Sequence, residues 1–171
     1  YDQLVCVHTS ESILFKEIEL PLTTREQVSL VLEEEIEPHL PFSPLDGNTG
    51  FIINPSTTEG ASAVLTATIK KQVADAFYAP FEAAEVFPDA VTTDIECLAA
   101  FISATHFQQD VTAHFLKIIV DIHAQHTQLI FMQDGKVRNA KTIPSGSQSF
   151  MTVHAANVEE KTAATQNFDE K

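Results

Sequence analysis

The stretch Ile36-Glu37-Pro38-His39-Leu40-Pro41-Phe42-Ser43-Pro44-Leu45-Asp46 limits what this chain can fold into more than any other. Proline fixes φ and removes a backbone donor, so prolines this closely spaced rule out a helix interior or a central strand. A solvated turn would be rich in Asn, Asp and Gly and would not need Leu40 and Phe42. The segment therefore reads as a stiff, partly buried connection. Before it, Val28, Val31, Leu32 and Ile36 recur at helical spacing. Thr23 can cap that helix, with Glu26 completing a capping box. Glu33, Glu34, Glu35 and Glu37 form its solvated flank. Pro38 ends it, because the residue before a proline is biased out of the helical region.

The rest of the chain divides into short elements. Strands are expected over 3–7 and 12–20, ahead of the helix. Strands over 50–54 and 61–69 follow the proline-rich connection and suggest a hairpin. A helix over 70–84 places Val73, Phe77 and Phe81 on one face. Pro80 falls inside it, and the period continues past the proline, so a kink is expected rather than a restart. A short strand over 90–94 leads into a helix over 95–106, whose stripe is Ile95, Leu98, Ala99 and Ile102. Residues 107–115 read as a polar connection. The run Lys117 to Ile122 is continuously apolar apart from its charged members and suggests a strand buried on both faces. Strands over 127–132 and 136–143 flank Asp134-Gly135, a strong hairpin signal. Pro144 to Ser147 turn the chain into weak helical pieces over 149–157 and 158–166.

The class is thus α/β (α+β). Residues 1–106 form a small α/β subdomain with an antiparallel sheet. Residues 107–171 hold three strands and a weakly ordered helical tail, with the boundary near 107–116. At 171 residues the chain can bury one core or two small ones in contact. The start Tyr1-Asp2-Gln3 lacks a Met and a basic leader, and reads as an interior start within a longer protein.

Charge excludes some partners. Net charge is −14, with only ten Lys and Arg. A phosphate-binding surface needs clustered cations, so neither nucleic acid nor an anionic membrane surface is an expected partner. A basic or apolar peptide remains open. No apolar run is long enough to span a bilayer, so no membrane insertion is expected. Cys6 and Cys97 make no framework, and Cys97 lies in an apolar helical pattern where a thiol behaves as a small hydrophobe. That usage fits a reducing compartment. His123 and His126 have no evident third ligand, so no metal site is expected. Asp121 ends a strand, where a carboxylate either faces a ligand crevice or accepts hydrogen bonds from the turn after it. Thr127, Ser145 and Gly146 could offer donors to a phosphate, but no P-loop pattern is present. No catalytic triad emerges, and the chain reads as more of a binding module than an enzyme.

Several of these segments resemble one family. Leu20-Pro21, the Glu-rich helix to Ile36, and His39-Leu40-Pro41-Phe42 with Leu45-Asp46 resemble PilM, the type IV pilus assembly protein with an actin-like ATPase fold. Lys71 and Val73 sit where that family has its second subdomain helix. Val91-Thr92-Thr93-Asp94-Ile95-Glu96-Cys97-Leu98-Ala99 resembles its strand ending in an aspartate before a Glu-x-Leu-Ala helix. Val120 to Thr127 resembles the family's second phosphate turn, Asp-Ile-Gly followed by Thr. Gly135 and Ile143-Pro144-Ser145-Gly146 resemble the following hairpin and Ile-Pro-x-Gly-Gly turn, and Val158 to Lys161 resembles the start of its next helix. The resemblance runs from about residue 14 to 162. The cytoplasmic domain of the type II secretion protein GspL is similar too, and the Leu-Pro-Phe segment favours the pilus protein.

The resemblance implies an actin-like, ribonuclease-H-like partial core carrying an inserted small α/β subdomain. It implies a cytoplasmic module, peripheral to the inner membrane, that serves as a scaffold in a type IV pilus-like platform. The groove between the inserted subdomain and the core would receive the amino-terminal peptide of a membrane partner, near Pro41, Phe42, Phe77 and Phe81. Phe42 serves equally well as interdomain core. The alternatives are a nucleotide-dependent actin-like ATPase or kinase piece, and a GspL-like domain. The family places ATP and magnesium near residues matching Asp121, Thr127 and Gly146. His123 replaces the expected glycine and Ser147 the second glycine. Glycine lets a phosphate approach the backbone closely. A histidine crowds that approach, so no cofactor is expected.

Overall fold

The computed structural model describes residues 3–56, 58–106, 116–149 and 151. Three sheets organise them. Strands β1 (Val5–His8) and β5 (Ala90–Thr93) pair in parallel, Val5 with Ala90 and His8 with Thr93. Strands β2 (Ile13–Leu20), β3 (Gly47–Pro55) and β4 (Ser62–Lys70) form an antiparallel sheet with β4 in the middle. Strands β6 (Leu116–Ile122), β7 (Thr127–Gln133) and β8 (Lys136–Ile143) form a second antiparallel sheet in chain order. The helices are α1 (Arg25–Ile36), α2 (Lys71–Ala83) and α3 (Asp94–His106). The mixed α/β class expected from the sequence is the one found.

β4 carries the core because it is covered on both faces. Val64 and Leu65 are neighbours in sequence, and period-2 alternation sends them to different clusters. Val64 meets Leu20 and the α1 residues Val28, Leu32 and Ile36. Leu65 meets Ile95 and Ala99 of α3 together with Ile130, Met132, Val137 and Ala140. That second cluster joins residues from both sides of the 107–115 stretch, which lies outside the described residues. Polar contacts tie the same seam. Arg138 Nε lies 2.7 Å from Glu17 Oε2, and Asn54 Nδ2 donates to the Val137 carbonyl at 3.1 Å.

A buried polar junction fixes a third contact. Gln128 Nε2 donates to Ser10 Oγ at 2.6 Å and to Asp94 Oδ2 at 2.9 Å. Asp94 Oδ1 accepts from the Ser10 and Ile95 amides. Ser10 and Gln128 are buried, so each needs these partners to offset lost hydration.

Several local expectations change. Thr24, not Thr23, caps α1, its hydroxyl accepting from the Gln27 amide, so the Thr23–Glu26 capping box is not the one made. After Ile36 the chain tightens into a 3-10 turn over Glu37–His39 that contains Pro38. A second such turn, Pro44–Asp46, is capped by the Ser43 hydroxyl. α2 runs through Pro80 as one helix. Cys97 is exposed rather than packed as a small hydrophobe. β6 is not buried on both faces: Leu116, Ile118, Val120 and Ile122 are all more than half exposed, at 59%, 56%, 54% and 54%. Only the alternate face, with Ile119, packs on the core. Asp134 and Gly135 take positive φ values of 52° and 76°, as a tight β7–β8 hairpin turn requires. Residues 147–149 begin a helix, slightly earlier than expected; residues 152–171, with the rest of the anticipated helical tail, lie outside the described residues.

Candidate functional site

The residues matched to a phosphate site come together at one end of the β6–β7–β8 sheet. Asp121 is the penultimate residue of β6, Thr127 opens β7, and Gly146 lies in the turn after β8. Each is already engaged by the protein itself. Thr127 Oγ1 donates to the Ser145 carbonyl at 2.7 Å. The Ser147 amide donates to the His123 carbonyl at 2.8 Å, and the Gln148 amide to that of Ala124 at 3.0 Å. His123 Nε2 sits 3.0 Å from Asp121 Oδ2, close but without hydrogen-bond alignment, and the His123 ring stacks on His126 at 4.3 Å. A Cβ on Gly146 would fall against the His123 carbonyl oxygen and 2.6 Å from the Ala124 carbonyl oxygen. Two turns therefore interlock, and the glycine serves that contact. A nucleotide phosphate needs open backbone amides and space beside the glycine. These residues do not fit that role. Among the described residues, no group of His, Cys, Asp or Glu side chains is arranged to hold a metal ion.

A groove of about 330 Å³ lies elsewhere, between the β2–β4–β3 sheet and the elements around β5. Strand register builds one side. Phe15, Ala67 and Gly50 form one row across the sheet, and Ile13, Ile69 and Asn48 form the next. α2 supplies Ala74, Phe77 and Tyr78. His8 of β1, Asn48 and Thr49 of β3, Thr92 and Thr93 of β5, and Glu96 of α3 bring polar groups. The Phe77 ring lies 4.7 Å from His8, 5.4 Å from Tyr78 and 5.5 Å from Phe81, so the helix presents a connected aromatic group. A Cβ on Gly50 would meet nothing within 4 Å, which leaves that row open.

The four residues matched to partner binding separate. Phe77 lines the groove. Phe81 stands behind it in the aromatic group. Phe42 is half-buried against Gly47, with Lys70 Nζ 5.2 Å from its ring centroid, at the end of the sheet from which Asn48 and Ile69 enter the groove. Pro41 is exposed, while Leu40 packs on the α1 cluster. Gly50, Phe15, Tyr78 and Glu96 were not singled out from the sequence. Gly50 alone gave a usable signal, since an isolated glycine in a strand marks a missing side chain that something else can approach.

No protein-family model matches the sequence, and no curated protein matches it. Solved structures do resemble the fold. A chain of the PilM–PilN type IV pilus biogenesis complex aligns with a TM-score of 0.71 at 16% identity, over 92% of this chain and 47% of that one. The cytoplasmic domain of EpsL, an inner membrane component of the type II secretion system of Vibrio cholerae, aligns with a TM-score of 0.53 at 11% identity. That alignment covers 82% of this chain and 50% of EpsL's. A Bacteroides thetaiotaomicron protein with an actin-like ATPase fold aligns at only 0.46, with 15% identity, over 95% of this chain and 56% of that one. The chain spans about half the length of these structures. Identities this low speak to architecture alone, and the mixed α/β architecture is what the chain shares with the first two structures.

Proposed function

We propose that this chain is a non-enzymatic assembly module of a type IV pilus-like inner-membrane platform. It acts in the cytoplasm at the membrane surface and binds a short amino-terminal peptide of a membrane partner. The observation that carries the reading is the groove of about 330 Å³, whose size suits one or two peptide side chains and whose lining is mainly apolar and aromatic. The fold likeness to a chain of the PilM–PilN complex supports the pilus assignment. The weaker likeness to EpsL supports a type II secretion module as the second choice. Among the described residues, no helix is long and apolar enough to cross a membrane.

In this reading Phe77 contacts the peptide and Phe81 backs it. Phe42 and Pro41 flank the sheet's end, where a longer peptide leaves the groove. Asp121, Thr127 and Gly146 hold turns together and no nucleotide is needed. The test is a titration with the short cytoplasmic amino-terminal peptide of the partner, followed by amide chemical shifts. Submillimolar binding with shifts centred on Gly50, Phe77 and Glu96 is expected; no binding in that range sinks the reading. Excess Mg-ATP is expected to leave thermal unfolding unchanged, and a stabilisation that grows with nucleotide concentration would restore the ATPase alternative.

A further inference from the structure

We infer that the groove reads a cationic group, so that its peptide ligand carries an ammonium or guanidinium beside an apolar side chain. This rests on the reading of the groove as a peptide site and adds the chemistry it selects. Among the described residues, Glu96 is the only acidic side chain on the lining, and no Lys or Arg accompanies it there. Its Oε2 accepts from the Thr92 hydroxyl at 2.6 Å, and the Thr93 hydroxyl accepts from its backbone amide at 3.1 Å. Those bonds hold the carboxylate at the start of α3 and leave Oε1 to accept from a ligand. His8 Nδ1 lies 2.7 Å from the Thr9 carbonyl. A carbonyl only accepts, so Nδ1 carries a proton in this contact.

The groove thus offers acceptors and aromatic faces. Phe77, with His8 and Tyr78 against it, supplies π surface of the kind that attracts a cation. Of the basic residues beside the lining, Lys70 Nζ lies over the Phe42 ring, and the Arg25 guanidinium lies over the Phe51 ring and donates to the Phe51 carbonyl. A net charge of −14 over the whole chain steers the same class of ligand toward it. An anionic peptide would bring a like charge to Glu96, with no Lys or Arg on the described lining to receive it.

The probes are leucyl-leucinamide, which has a free α-ammonium, and its N-acetyl twin, which is neutral and otherwise alike. Binding is measured by amide shifts at low salt on the whole chain. The ammonium probe is expected to bind at least about fivefold tighter than the acetyl twin. Glu96→Gln is expected to erase that preference. Gly50→Phe, which fills the open row, is expected to weaken both. Equal affinity of the two probes for the unmodified chain overturns the inference and leaves the groove standing as a peptide site. Failure of both probes, together with failure of the partner's own peptide, overturns the groove itself. A preference that survives Glu96→Gln also overturns the assignment, since the cation would then be read elsewhere.

Discussion

A Cβ placed on Gly146 would lie 2.6 Å from the Ala124 carbonyl oxygen, while one placed on Gly50 would meet nothing within 4 Å. The two glycines stand in the two regions that a ligand could be expected to occupy. At Gly146 the absent side chain is used by the protein, which brings the 123–126 turn onto the 145–148 turn. At Gly50 it is unused, and an aromatic-lined groove passes beside it. A glycine in a resembled motif therefore does not by itself indicate a site. What matters is whether the space it frees is filled by the chain's own backbone. The space at the interlocked end is taken by the chain's own backbone, and the space beside Gly50 is not.

The sharpest way to break this contrast is Gly146→Ala. If the turns interlock as described, one methyl group must push two backbones apart, at a cost of about 3 kcal/mol. Urea denaturation would show this as a lower midpoint with an unchanged slope. A loss below about 0.5 kcal/mol would mean that the turn is open, and would return Gly146 to the candidates for ligand binding.

Gln128→Ala comes next and tests what anchors the closed end to the rest of the molecule. Its amide donates to Ser10 and Asp94. Truncation leaves a buried serine and a carboxylate oxygen short of a donor, which costs about 2 kcal/mol. Faster amide exchange is expected in β7 and at the start of α3, and little change around Gly50. If exchange instead rises equally near Gly50, the two regions are not separable in the way argued.

The sequence made the elements legible where one period dominated. The β3–β4 hairpin, α2, α3 and the β7–β8 turn all fall close to their expected places, because alternation, helical spacing and Asp134-Gly135 each carry a local signal. β6 was misread for a physical reason. Ile118, Ile119 and Val120 are apolar on both faces, so the run hides the alternation that leaves Leu116, Ile118, Val120 and Ile122 exposed. The cap of α1 was misplaced by one residue because Thr23 and Thr24 are chemically alike. The groove was less legible still. It is assembled from β1, β2, β3, β4, α2, β5 and α3, and no local pattern relates His8 to Glu96 or to Phe77. The phosphate-turn residues showed the opposite behaviour: their order in the chain was readable, but their engagement with one another was not.

Glu85 gives a smaller effect, just beyond the end of α2. It takes a φ of 54° just after α2, where the Glu85 amide bonds the Glu82 carbonyl and the Val86 amide bonds that of Phe81. That is the left-handed helix stop that glycine fills without strain. Glu85→Gly is expected to stabilise the chain by about 0.5–1 kcal/mol, after allowing for glycine's greater freedom when unfolded. The melting temperature would rise by about 2 °C. Peptide affinity should not fall, because α2 keeps Phe77 and Tyr78 in place. A loss of stability would show that the Glu85 side chain makes a contact worth more than the strain.

The smallest stability effect is predicted at Gly50, where it carries the most information. Gly50 pairs with Ala67 on an edge strand, and its φ is not in the left-handed region. Gly50→Ala should therefore leave stability within about 0.5 kcal/mol, with any change favourable, because a strand gains from a side chain. The larger Gly50→Phe should fold as well and occupy part of the groove. Affinity for the partner peptide should then drop while the urea midpoint stays put. At Gly146 one methyl group is expected to lower stability by about 3 kcal/mol while the groove is left as it is. At Gly50 a full phenyl ring is expected to remove binding and leave folding intact. If Gly50→Phe instead unfolds the chain, the row beside Phe15 and Ala67 is packed rather than open, and the two glycines are doing the same job.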